Sequence, residues 1–142
     1  LWHSLREELE GLPFEMSCGE EEADSGVTII WVEDPHGAGI GFDVILAGDE
    51  IIVVAGRGAR VTFSTDEPMR SIVSFLASLM TGPVHESWSK RTVVMEVGFP
   101  QDKARYVTRR GGLPELAPRF ESHSYTSYRS THSSSDAWKS DV

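Results

Sequence analysis

Hydrophobic and polar positions change period several times along the chain, and each change marks an element. Leu1, Leu5, Leu9 and Leu12 share one helical stripe, with Arg6, Glu7, Glu8 and Glu10 around the rest, which predicts a surface helix with one buried face. Gly11 and Pro13 end it. Residues 15–26 carry Glu20, Glu21, Glu22 and Asp24 with no apolar period, so they read as an acidic loop. Val27 to Val32 is rich in β-branched residues and apolar on both faces, the mark of a central strand. After a turn at Asp34-Pro35-His36-Gly37, the residues Ile40, Phe42, Val44 and Leu46 alternate with Gly41, Asp43 and Ile45, a period of two that buries one face. Gly48-Asp49 suits a tight hairpin into a strand at Ile51 to Val54, and Gly56-Arg57-Gly58 turns into another containing Val61 and Phe63. Connections this short force antiparallel pairing.

Ser64-Thr65-Asp66-Glu67 resembles a capping box, and Met69, Ile72, Val73, Leu76, Leu79 and Met80 then repeat at three and four, predicting a second helix. Gly82-Pro83 terminates it. A loop containing Trp88 leads to a strand over Thr92 to Phe99, and Ala104 to Thr108 reads as a basic edge strand. Residues 121–142 hold Ser, Thr, Tyr, His and Asp with almost no aliphatics, too little apolar surface to offset the entropy of ordering. The expectation is therefore an α+β domain over residues 1–116. It has an antiparallel sheet of five to six strands and two helices, the second packed on one sheet face. A flexible Ser/Thr-rich tail is expected over 117–142.

Composition adds little until charge is mapped. The 142 residues are 39% hydrophobic and 25% charged, near globular averages, and no apolar run is long enough to cross a bilayer. No basic stretch leading into an apolar one precedes the domain, so a secretion signal is not expected. The lone cysteine, Cys18, fits a reducing, cytoplasmic setting. Its acidic surroundings argue for a structural thiol rather than a nucleophile. The net charge of −9 is one-sided: residues 1–34 hold ten acids against the single base Arg6, while residues 35–142 hold twelve of each. Such a field repels nucleic acid and membranes and attracts a basic partner. It also reads as a solvated face that aids solubility.

Motifs for chemistry are sparse. The glycines of Gly37-Ala38-Gly39-Ile40-Gly41 lead into a strand, whereas a dinucleotide fingerprint opens a helix. Gly56-Arg57-Gly58-Ala59-Arg60 offers backbone amides and two guanidiniums to an anion, or simply a turn. His3, His36, His85, His123 and His132 lack zinc-site spacing, and no Gly-x-Ser-x-Gly elbow occurs. No metal, cofactor or catalytic residue is therefore expected. Lys103, Arg105, Arg109 and Arg110 surround Tyr106, but without the aromatic pattern of an RNA-binding sheet. Trp31, within a strand, reads as core. Trp88, in a loop, reads as core or as an exposed anchor for a partner.

Residues 40–99 combine alternating strands, the helix start Asp66-Glu67-Pro68, a helix closing on Leu79-Met80-Thr81-Gly82-Pro83-Val84, and Trp88 before a strand. In this the chain resembles immunity proteins of bacterial polymorphic-toxin systems, the Imm1-like α+β group. The resemblance implies a non-catalytic cytoplasmic inhibitor of a cognate toxin. A toxin acting on nucleic acid has a basic cleft, which an acidic surface would block by charge mimicry. The expected partner-facing residues are Glu20, Glu21, Glu22, Asp24, Glu33, Asp34 and Trp88. A small-molecule-binding regulatory domain with a pocket between sheet and helix is one alternative, and a small enzyme is the other.

Overall fold

The computed structural model describes residues 2–23, 25–98, 103–111 and 117–131. Helix α1 (Trp2–Glu10) is followed by strands β1 (Ser17–Glu22), β2 (Thr28–Glu33), β3 (Phe42–Ala47), β4 (Glu50–Ala55) and β5 (Ala59–Ser64). After helix α2 (Met69–Thr81) come β6 (Val84–Trp88), β7 (Thr92–Gly98), β8 (Lys103–Arg109) and β9 (Glu121–Tyr125). The α+β class holds, but the strands form two antiparallel sheets rather than one. The first is a five-stranded meander in chain order, and the second has the order β8-β7-β6-β9.

Three elements differ from the sequence reading. The acidic segment is a strand, not a loop: β1 pairs with β2 from Ser17↔Glu33 to Glu22↔Thr28. Carboxylates at an exposed sheet edge cost little and discourage edge-to-edge association, so charge masked a strand that backbone pairing supports. The segment around Trp88 is also a strand, and β6 pairs with both β7 and β9.

The third difference lies in the expected tail. Residues 121–125 form the edge strand β9, and Tyr128 is only 2% exposed within the core. Its hydroxyl donates to the carbonyl of Ile40 at 2.6 Å and its amide to the carbonyl of Met80 at 2.7 Å. Beyond it the amide of Thr131 reaches the carbonyl of Pro13 at 3.1 Å, and the amide of Glu15 reaches that of Arg129 at 2.8 Å. The segment is tied down by one aromatic ring and by backbone bonds. Neither leaves an aliphatic signature. The remainder of the expected tail, 132–142, lies outside the described residues.

The core follows from the periods. Ile30 and Val32 of β2, Phe42, Val44 and Leu46 of β3, and Ile51 and Val53 of β4 are buried on one face of the first sheet. Val93, Met95 and Val97 join them from the second. Leu5 and Leu9 of α1, and Ile72, Leu76, Leu79 and Met80 of α2, complete the same cluster. The sheets meet along β5 and β8, where the amide of Arg60 donates to Thr108 Oγ1 at 2.9 Å. Phe75 of α2 bridges that seam, with ring centroids 5.4 Å from both Phe63 and Tyr106. The capping-box residues close a turn instead of capping the helix. Ser64 donates its amide to Glu67 Oε1 at 3.3 Å, while α2 starts only after Pro68, with no side-chain cap.

Replacing Leu76 by alanine is expected to cost about 2–5 kcal/mol in chemical unfolding, the range for a fully buried leucine. Tyr128→Phe, which strands the buried carbonyl of Ile40, is expected to cost about 1–3 kcal/mol. A neutral result for the second would show that residues 126–131 do not anchor the fold.

Candidate functional site

In an antiparallel sheet, directly opposed residues share a face, so the register of the first sheet defines its outer surface. One row runs Gly19, Trp31, Asp43, Val54, Arg60 across β1 to β5, and the next runs Glu21, Ile29, Ile45, Ile52, Thr62. Ile29, Trp31, Ile45, Ile52 and Val54 lie outside the core cluster, and all five are partly or fully exposed. They form an apolar centre on a face that no described element covers. Glu21, Glu33 and Glu50 stand around it, with Asp43 set between Trp31 and Val54. Partial burial, then the charges of Glu33 and Glu21, raise the Asp43 carboxyl above its ordinary value.

Trp31 was expected in the core, yet it points outward and is 36% exposed. It lies across Gly19 of β1, where an added Cβ would fall 2.1 Å from the indole. The missing side chain makes a seat for the ring, the way an aromatic residue covers a glycine on an edge strand. The indole rests against the backbone of Gly19, and the residue stays substantially exposed.

The expected partner-facing residues do not form one surface. Glu20 shares the inner face with Ile30 and receives the Arg6 guanidinium at 3.3 Å, while Arg6 also bonds Glu10 at 2.6 Å. Glu21, Glu22 and Glu33 are exposed on β1 and β2. Asp24 lies outside the described residues. Asp34 is a correction: it is buried and fastens its own loop, accepting the amides of His36 at 2.9 Å, Ala38 at 3.0 Å and Gly39 at 2.6 Å. Burial opposes its charge, but these three bonds outweigh it and hold the carboxyl below its ordinary value. Trp88 is likewise engaged inside the molecule. The Arg57 guanidinium sits 4.5 Å over its ring, and its Nε1 donates to Glu121 at 3.0 Å.

Next to Trp88 lies a side chain that the sequence reading passed over. Glu86 is fully buried. Its Oε2 accepts the Arg57 amide at 2.7 Å and its Oε1 the Tyr125 hydroxyl at 3.0 Å. A Cβ on Gly56, where φ is +53°, would come within 2.5 Å of Oε2. The Gly56–Arg60 turn thus presents the Arg57 amide to a carboxyl oxygen of the chain's own Glu86. Burial and then Glu86 push the Tyr125 hydroxyl up to about 12, so it remains a donor at neutral pH. In front of this cluster is an open cleft of about 330 Å³, lined by Glu33, Asp43, Arg57 and Tyr125 among others.

Other chemistry is limited. Burial pushes the Cys18 thiol up, reinforced by Glu10 and Glu20 against Arg6. His36 Nε2 lies 2.8 Å from Glu15 on the surface. Among the described residues, no three His, Cys, Asp or Glu side chains are placed to hold a metal ion, and no helix is long and apolar enough to cross a membrane.

Asp34 contributes stability through its charged form, so that contribution is complete above the unfolded-state value of about 3.9 and is lost as pH falls through the lower folded-state value. At pH 7 Asp34→Asn is expected to cost about 1–3 kcal/mol, because an amide group cannot accept all three donors. In chemical unfolding across the acid range, the gap between wild type and variant should close as pH drops below about 4. A gap independent of pH would sink this assignment. No family model, curated protein or solved structure matches the chain.

Proposed function

We propose that the chain is a non-catalytic binding protein of the immunity or antitoxin kind, which inhibits a basic partner protein by covering its functional surface. The carrying observation is the separation of charge in space. Exposed carboxylates occupy β1 to β4 (Glu20, Glu21, Glu22, Glu33, Asp43 and Glu50), while exposed arginines gather at the seam between the sheets (Arg57, Arg60, Arg105, Arg109 and Arg110). The acidic residues of the first sheet lie along its β1 to β4 side, with Glu21, Glu33, Asp43 and Glu50 on the outer face and Glu20 and Glu22 on the inner. A one-sided field of this type speeds encounter with an oppositely charged surface and disfavours nucleic acid.

The likeness of residues 40–99 to immunity proteins supports the same reading, although its tryptophan, Trp88, lies in a strand and is occupied by Arg57. The regulatory-domain alternative draws on the cleft bounded by Arg57 and Tyr125. That cleft is open and charged, whereas small-molecule sites are mostly enclosed and apolar.

An immunity protein is encoded beside its toxin, so the test is to express the product of the adjacent reading frame alone and together with this chain. Growth arrest relieved by the chain, through a complex that can be isolated, is the expected outcome. A harmless neighbour or unrelieved arrest would remove the reading. Within such a complex, replacing Glu21, Glu22 and Glu33 by glutamine should slow association about tenfold while barely moving the melting temperature, since exposed charges contribute little to folding.

A further inference from the structure

We propose that the outer face of the first sheet, centred on Trp31, is the docking surface, and that its occupant is a protein surface presenting a lysine or arginine flanked by apolar side chains. The proposal rests on the partner-binding reading above and names the place where binding occurs.

Three observations on this face lead to it. Ile29, Ile45 and Ile52 line up across three strands outside the core, in positions where a solvent-facing sheet normally carries polar residues. Trp31 is seated against Gly19 and remains exposed, and a rigid aromatic side chain binds with little loss of conformational entropy. Asp43 stands between Trp31 and Val54 in the same row, within a face that also carries Glu21 and Glu33. A cation arriving there would pair with a carboxylate already crowded by like charge, and would also meet the indole face.

Charge complementarity selects the occupant. A second copy of this chain would set Asp43 and its acidic neighbours against themselves, which opposes a self-contact. A purely apolar partner would leave the carboxylate buried without a counter-charge, at a cost.

Two β-hairpin peptides test it. Both carry the same tryptophan and isoleucine face, one rimmed by lysine and the other by glutamate, and each is titrated into the isotopically labelled full-length chain. The lysine-rimmed hairpin is expected to shift the amides of residues 29–31, 43–45 and 52–54, with affinity falling between about 20 and 300 mM salt. The glutamate-rimmed hairpin should leave them unmoved. Trp31→Ser should weaken binding at least about tenfold, the loss of a hot-spot anchor. Gly19→Ala, which keeps Trp31 and every carboxylate but displaces the indole, should weaken it in the same direction, with both variants checked for an unchanged melting temperature.

Equal binding by both hairpins, no binding by either, or affinity indifferent to Trp31→Ser and Gly19→Ala overturns the proposal. Shifts confined to residues 17–23 overturn the Trp31 face while leaving the acidic-partner reading standing. Binding that emerges only after deletion of residues 132–142 assigns the face to the chain's own C-terminal residues and likewise overturns it. The adjacent-gene experiment judges the partner-binding reading separately.

Discussion

A carboxyl group shut away from water must find hydrogen-bond donors inside the protein, or its burial costs several kcal/mol. Glu86 finds them on both sheets. One oxygen takes the Arg57 amide, in the turn between β4 and β5, and the other takes the Tyr125 hydroxyl on the edge strand β9. The turn can approach only because Gly56 has no side chain, and Arg57, once placed, lays its guanidinium over Trp88. A single buried polar residue thereby sets the distance between the sheets at this end of the molecule. A hydrophobic core is permissive about such spacing, whereas hydrogen bonds of fixed length are not.

The opposite tie is made by the segment that follows β9. Tyr128 fills the space beside Gly39, where a Cβ would stand 2.3 Å from its ring, and bonds the carbonyl of Ile40. Asp34 gathers the amides of the same loop. The loop between β2 and β3 is thus organised from within by a carboxylate and from outside by a tyrosine. Of its glycines, Gly39 serves close packing against Tyr128, and Gly37 supplies a positive φ in the turn.

With both ends tied and the inner face filled, the outer face of the first sheet is the large surface left without a described covering element. Its composition departs from the alternation of the core. Inward positions alternate with polar outward ones at Glu21, Glu33, Asp43, Glu50, Arg60 and Thr62, but Ile29, Trp31, Ile45, Ile52 and Val54 are outward and apolar. Retaining such residues beside Glu21, Glu33 and Asp43 opposes indiscriminate aggregation while keeping an apolar surface available. That combination is what the proposed docking of a positively charged surface rests on.

How much of this was legible in the sequence depends on what each element uses for its stability. Both helices, β2 to β5 and β7 bury aliphatic side chains at a regular period, so periodicity alone located them. The segments 17–22 and 121–125 are held by backbone pairing at sheet edges, and neither SCGEEE nor ESHSY carries an apolar rhythm. Only the partner strands decide that they are strands. The acidic surplus was visible as composition. Which carboxylates are free was not, because Glu20 meets Arg6 fourteen residues away, and Asp34 turns inward on amides that only the folded loop presents. Trp31 gave no local hint of exposure, since strand periodicity distinguishes two faces without saying which is covered. The covered face is chosen by the helices, the second sheet and Tyr128, all of them far along the chain. Tertiary structure therefore decided the surface and the edge strands, while sequence determined the aliphatic elements and the sign of the charge.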